Sequence, residues 1–405
     1  MNLLRRSLIS LLGLACALGT LVAHADSSAL KPKVDAVIDQ AIAENRIVGA
    51  VVLVAQDGKT VYQRAAGLVD KEGKKPMQLD ALFRLSSVSK PIVIVTALAL
   101  VERKQLSLDE PVTKYLPDFK PQLADGTTPT ITLRQLLTHT AGLGYKFTEA
   151  ADGPYHKAKI SDGFDGEKVD LTEETRRIAS LPLYFPPGTE WRYSLSIDVL
   201  GAVIERATGK PLGTVVADVV TKPLGMTDTS FVVDRAHAGR VAKAYFNAPS
   251  GPAPMTDPQV ITFGTMTLEY SPSRAFDTKA YPSAGAGMIG SAPDVLRLLE
   301  AVRKGGAPVL SKATTDEMFR NQIAGLPGMQ PGVGFGFGGA LVVDPAAAKT
   351  SQSAGTMYWG GVYGHSWSVD PVKKITIVAL TNTAPDGMAG KFPDGISDAV
   401  YAAVQ

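Results

Sequence analysis

Apolar positions fall into three kinds of pattern along the chain. Residues 31–45 carry Val34, Val37, Ile38, Ala41 and Ile42 at helical spacing. Val48 to Ala55 is a continuous apolar run, followed by Asp57-Gly58 and then Thr60-Val61-Tyr62. Asp-Gly between two β-prone runs predicts a hairpin. From about 86 to 330 the pattern is mainly helical, as in Thr132–Leu137, Ile197–Ala207 and Asp294–Arg303. Long polar, Pro/Gly-rich loops are expected at 144–188 and 247–283. Strand patterns return at Gly334–Val343, Gly355–Val369 and Lys374–Leu380, and a last helix is expected over 394–404. Strands at both chain ends around a helical middle predict one antiparallel sheet, built from 26–85 and 331–405, with a helical lobe of 86–330 inserted. The fold class is therefore α/β in the broad sense (α+β), with any site expected where the two parts meet.

The first residues read differently. Arg5 and Arg6 precede an apolar stretch from Leu8 to Val22, and Ala23-His24-Ala25 supplies a small-residue cleavage site. This predicts a signal peptide over 1–25 and a periplasmic or secreted protein. The apolar run is short for a membrane span, so no span is expected after cleavage. Arg5-Arg6 leaves a general secretory and a twin-arginine route both open. The one cysteine, Cys16, lies inside this segment, and Gly13 stands where a lipoprotein signal would need an aliphatic residue. The mature chain thus has no disulfide and relies on its core. Formal charge is +2 overall and falls to near zero without Arg5 and Arg6. That excludes the basic surface on which nucleic-acid binding depends.

Candidate chemistry starts at Ser87-Val88-Ser89-Lys90. S-x-x-K is a signature of serine β-lactamases and penicillin-binding proteins. At a helix start, positions i and i+3 share a face, so the Lys90 amine stands beside the Ser87 hydroxyl. A serine is a weak nucleophile until a neighbour takes its proton. The helix N-terminus adds N–H groups that favour developing negative charge. Two further segments stand out. Pro186-Pro187-Gly188 leads to Tyr193-Ser194 just before a helical stretch. Trp359-Gly360-Gly361 lies in an aromatic, glycine-rich strand that would let a substrate carbonyl approach a backbone N–H.

With Leu136–Leu143 (Leu-Leu-Thr-His-Thr-Ala-Gly-Leu) and Pro223-Leu224-Gly225-Met226, these motifs resemble the β-lactamase-like serine hydrolases in order and spacing over essentially the whole mature chain. The likeness to class VIII carboxylesterases, which are related to class C β-lactamases, is the strongest. The resemblance implies a β-lactamase/penicillin-binding-protein-like fold and no cofactor. It implies Ser87 as nucleophile, with Lys90 and Tyr193 as general base and acid. It also implies an oxyanion hole from the N–H groups of Ser87 and Val362, and a pocket bordered by Tyr145, Trp359, Gly360 and Gly361. Two departures from the lactamase pattern point to neutral esters. Leu195 occupies the position of an asparagine that binds the lactam side-chain amide. Trp359 and Gly360 occupy the lysine and threonine positions of Lys-Thr-Gly, which removes a cation for the substrate carboxylate.

The expected activity is hydrolysis of short-chain carboxylic esters. Alternatives on the same fold are a class C-like β-lactamase, a D-alanyl-D-alanine carboxypeptidase, or a sensor that is acylated and stalls. A Ser-His-Asp site at Gly364-His365-Ser366-Trp367-Ser368 is disfavoured, because the last glycine of G-x-S-x-G is missing and a strand follows where a helix is needed. His139 and His365 are read as structural. No His/Asp/Glu group has metal-ligand spacing, and Gly334–Gly339 does not lead into a helix as a phosphate loop would.

Overall fold

The computed structural model describes residues 27–404. The expected signal peptide and Cys16 lie outside these residues. The chain begins with helix α1 (Ser27–Ala43) and strands β1 (Gly49–Gln56), β2 (Lys59–Asp70), β3 (Lys75–Pro76) and β4 (Leu82–Arg84). Helix α2 (Ser89–Glu102) opens the middle part, followed by α3 (Leu133–Leu137), α4 (Pro154–Lys157), α5 (Leu171–Ala179), α6 (Ser196–Thr208) and α7 (Leu212–Val216). Next come β5 (Tyr245–Ala248), β6 (Gly251–Pro254), β7 (Gln259–Phe263), β8 (Met266–Tyr270), β9 (Ile289–Ser291), α8 (Ala292–Arg303) and α9 (Lys312–Met318). The chain closes with β10 (Val333–Phe335), β11 (Ala340–Val342), β12 (Met357–Gly361), β13 (His365–Asp370), β14 (Ile375–Thr381), β15 (Thr383–Ala384) and α10 (Lys391–Tyr401).

The main sheet has eight strands in the order β10-β11-β12-β13-β14-β1-β2-β3, and its ladders are antiparallel. The two ends of the chain meet where β1 pairs with β14, as Val52 opposite Ala379. The β1–β2 turn is made by Asp57 and Gly58, both at positive φ (50° and 85°), the backbone that suits a two-residue hairpin. Both faces of β1 are buried, which explains its unbroken apolar run. Ala50, Val52 and Val54 pack with α1 and α10 through Leu30, Val34, Ile38, Phe392 and Ile396. Val51 and Leu53 face the larger core, with Val295 and Leu299 of α8. Residues of α8 fall within 86–330, yet this helix covers the sheet.

Helix α2 is buried from Ser89 to Leu100. A helix apolar on every side belongs in the middle of a molecule, and α2 runs between the sheet layer and the lobe. Two of the lobe helices are capped by short polar side chains. Thr132 and Gln135 form a capping box at α3, and Asp170 caps α5, each meeting donors that the first turn leaves free.

Several expected segments are subdivided. Gly334–Val343 is a hairpin, β10 and β11, with Gly338 at φ 108° between them. Gly355–Val369 is the β12–β13 hairpin. The expected loop 247–283 contains strands β6, β7 and β8. Their outward positions are exposed, so the sequence there lacks an apolar period. The terminal helices run 27–43 and 391–401, a few residues earlier than the periodicity suggests.

Candidate active site

Strand β4 pairs with β9 and delivers the chain to the site. Ser86 then adopts φ 45°, a left-handed backbone costing about 1–3 kcal/mol for such a residue. It turns the chain so that Ser87 sits in the middle of a short 3₁₀ turn (Ser86–Val88) running straight into α2. Lys90, one turn further, brings Nζ to 3.2 Å from Ser87 Oγ, and Nζ also donates to the Gly285 carbonyl at 2.8 Å. Tyr193, just before α6, donates its hydroxyl to Ser87 Oγ at 2.6 Å. Nζ of Lys90 lies 4.7 Å from the Tyr193 ring centre. Residues distant in sequence therefore converge on one oxygen, as the S-x-x-K and Tyr-Ser motifs lead one to expect. Ser87 is 8% and Lys90 2% exposed, so the amine works away from bulk water.

The lobe side of the site is built from side chains. His139 sits at φ 56°, and its Nδ1 accepts from the Ser194 N–H at 3.3 Å. Its ring lies 4.9 Å from Tyr193. Burial, and then the Lys90 charge, hold its pKa well below the usual histidine value, so it stays a neutral acceptor. Tyr145 lies against Tyr193 (5.0 Å between ring centres) and stacks on Phe147 (4.6 Å). It is fully buried, with Lys90 Nζ 5.5 Å from its ring centre. Tyr145 thus supports the trio from beneath. Leu195 is fully buried in the main core.

Sequence reasoning missed Asp198, Ser283 and Gly285. Asp198 lies on α6 among Ile197, Val199 and Leu200 and accepts from Ser283 Oγ at 2.6 Å. A Cβ added at Gly285 would lie 2.6 Å from Asp198 Oδ2 and 3.4 Å from Lys90 Nζ, so acid and amine flank the same backbone. Burial raises the Asp198 pKa, against the Ser283 hydrogen bond and the Lys90 charge. The available signal was an acid in the apolar first half of α6.

The sheet side is built from β12 and the turn that follows. Trp359 lies 5.1 Å from Tyr193 and 5.5 Å from Phe335, ring centre to ring centre, and its Nε1 is 3.4 Å from the Tyr193 hydroxyl. A Cβ at Gly361 would sit 2.5 Å from Ser86 Oγ and 2.6 Å from the Leu85 carbonyl. Only glycine lets this strand touch the turn that carries Ser87. Val362, partly buried, follows in the turn Gly361–Gly364, closed by the Gly364 N–H on the Gly361 carbonyl at 2.8 Å.

The rival arrangement does not form. Ser366 lies within β13, opposite Gly360 and Ala379, not on a strand-to-helix elbow. His365 Nε2 meets the Arg84 carbonyl at 2.9 Å, and burial pushes its pKa down to about 4. It is a neutral histidine bonded beneath the site. Gly334–Gly339 turns back as a hairpin and leads into no helix. Among the described residues no group of three His, Cys, Asp or Glu is placed to hold a metal, and no helix is long and apolar enough to cross a membrane.

Known proteins resemble this chain over nearly its whole length. Over 93% of its length the chain is 49% identical to Esterase EstB of Burkholderia gladioli, covering 96% of that protein. The solved structure of EstCE1, described as a hydrolase with promiscuous acyltransferase activity, superposes with TM-score 0.88 at 45% identity, over 93% of this chain and 99% of that one. A simvastatin synthase mutant from Aspergillus terreus shares the fold, with TM-score 0.74 at 23% identity over 93% of this chain and 98% of its own. The family model described as Beta-lactamase matches residues 34–396. On that match, and on a relative so similar over nearly its whole length, the chain belongs to the Beta-lactamase family.

Proposed function

We propose that this protein is an exported serine carboxylesterase that cleaves small, neutral, short-chain esters through an acyl-enzyme on Ser87. The observation that carries the reading is the double contact on one oxygen: Tyr193 at 2.6 Å and Lys90 at 3.2 Å from Ser87 Oγ. Ser87 attacks the ester carbonyl while its proton passes to the Lys90–Tyr193 pair. The oxygen that becomes negative faces the N–H groups of Ser87 and Val362, at the join of α2 and β12. The pair then protonates the departing alcohol, and water repeats the sequence on the acyl group.

The wall favours esters over lactams. Trp359 presents an apolar surface where a lysine would hold a carboxylate, and Leu195 turns into the core. The names of the relatives, an esterase and a hydrolase with acyltransferase activity, support the same direction. They also support a second reaction, in which an alcohol replaces water in the deacylation step. Export rests on the pattern of residues 1–25.

The test assays the mature chain on p-nitrophenyl butyrate and on nitrocefin, with mass measurement after penicillin. The expected result is ester turnover that Ser87→Ala abolishes in a folded protein. Ester turnover retained by Ser87→Ala would overturn the mechanism. Faster nitrocefin than ester cleavage, or a stable penicillin adduct without ester turnover, would move the protein to a lactamase or a sensor.

A further inference from the structure

The catalytic reading needs the Val362 N–H to keep a fixed position relative to Ser87. The turn Gly361–Gly364 holds its own shape through the Gly364–Gly361 bond, but that bond does not tie the turn to anything else. The peptide between Val362 and Tyr363 is gripped at both ends. Its N–H faces Ser86 Oγ at 3.5 Å, and its carbonyl accepts from the Tyr270 hydroxyl at 3.1 Å. Ser86 belongs to the nucleophile's own turn. Tyr270 belongs to the lobe, at the end of the β7–β8 hairpin. Its ring is buried, 5.3 Å from Phe164 and 4.9 Å edge-on from Tyr363. Two tethers from two sides thus fix the turn against Ser87.

We propose that Tyr270 is a positioning residue for the oxyanion hole: its hydroxyl anchors the Val362 carbonyl and so holds the neighbouring Val362 N–H where the oxyanion develops. This rests on the Ser87 acyl-enzyme reading. Burial, and then the nearby Tyr363, raise the Tyr270 pKa well above the usual tyrosine value, so the hydroxyl remains a donor at any working pH. An interaction that acts on the oxyanion is felt in the transition state more than in the substrate complex. Loss of the anchor therefore lowers kcat and leaves KM nearly unchanged.

The test is Tyr270→Phe, which keeps the ring contacts and removes one donor. The measurements are kcat and KM on p-nitrophenyl butyrate, the inhibition constant of a phenylboronic acid that forms a tetrahedral adduct, and the melting temperature. The expected result is a fall in kcat of about tenfold, KM within about twofold, and boronate affinity falling in step with kcat. Phe164→Leu, which loosens the ring packing but keeps the hydroxyl, is expected to lower the melting temperature without that selective loss. Wild-type-like kcat in Tyr270→Phe would overturn the proposal. So would a fall in kcat with boronate affinity unchanged, the same selective loss in Phe164→Leu, or failure of Tyr270→Phe to fold. If wild type lacks ester turnover, or Ser87→Ala retains it, the acyl-enzyme reading itself has failed.

Discussion

The two walls of the cleft are made by different means. On the sheet side, β12 and its turn contribute mainly backbone: glycines that permit close approach, and a turn held by contacts from Ser86 and Tyr270. On the lobe side, Lys90, Tyr193, His139, Tyr145 and Asp198 contribute side chains held by one another across loops. A backbone wall depends on the absence of side-chain bulk. A side-chain wall depends on buried polar groups finding partners. Substitutions should therefore fail in different ways on the two sides.

The largest effect is expected on the lobe wall. Tyr193→Phe keeps the ring against His139 and Trp359 and removes the hydroxyl from Ser87. The expected outcome is a loss of about 10²-fold or more in kcat/KM, with a melting temperature close to wild type. Near-wild-type kcat/KM would make Tyr193 packing only.

On the sheet wall, Gly361→Ala adds one methyl, directed at Ser86 Oγ and the Leu85 carbonyl. The expected loss is again about 10²-fold in kcat. Unlike Tyr193→Phe, it should come with destabilisation of about 1–3 kcal/mol, as overpacking costs, read by denaturant unfolding. A Gly361→Ala protein with normal stability and activity would show that the walls do not touch as described.

Trp359→Lys sharpens the contrast in specificity. It is made alone, because a Cβ at Gly360 would lie 2.8 Å from the His365 carbonyl and from Met388. The ratio of kcat/KM for nitrocefin over a neutral ester is expected to rise about threefold, a modest electrostatic gain. An unchanged or lower ratio would remove Trp359 from specificity.

A last effect, on stability and not on turnover, lies deeper in the lobe. Burial raises the Glu174 carboxyl to about 8, against the Ser161 N–H and with Asp198 nearby. Folded Glu174 thus keeps its proton where an unfolded glutamate, near 4.5, has lost it. Its contribution to stability is complete below about pH 4.5 and is lost as pH rises to about 8. Glu174→Gln should remove that dependence. The melting temperature of the variant relative to wild type should climb by several degrees between pH 5 and pH 8.5, on the order of a few kcal/mol. A difference that is flat with pH would contradict the assignment.

The same contrast explains what could be read from the sequence. The sheet announced itself through regular patterns: the doubly buried β1, the Asp57-Gly58 turn, and Trp359-Gly360-Gly361 beside a strand. The trio was legible because Ser87 and Lys90 share a helix turn and Tyr193 lies in a recognisable motif. Asp198, Ser283 and Gly285 were not legible. They meet only when α6 packs against the loop before β9, and no local period records that meeting. Tyr270 was hidden similarly, at the inner end of a hairpin whose outward side chains are polar enough to read as loop. Tyr145 was visible as a neighbour of the site, while its buried position beneath Lys90 is a property of packing.

The most direct test of the central claim is covalent. The mature protein is treated with a fluorophosphonate ester and the labelled residue is mapped by peptide mass spectrometry, with ester turnover followed in parallel. The account predicts a single adduct on Ser87 that appears as activity disappears, and no adduct in Ser87→Ala. A label on Ser366, or inactivation with Ser87 unmodified, would contradict it.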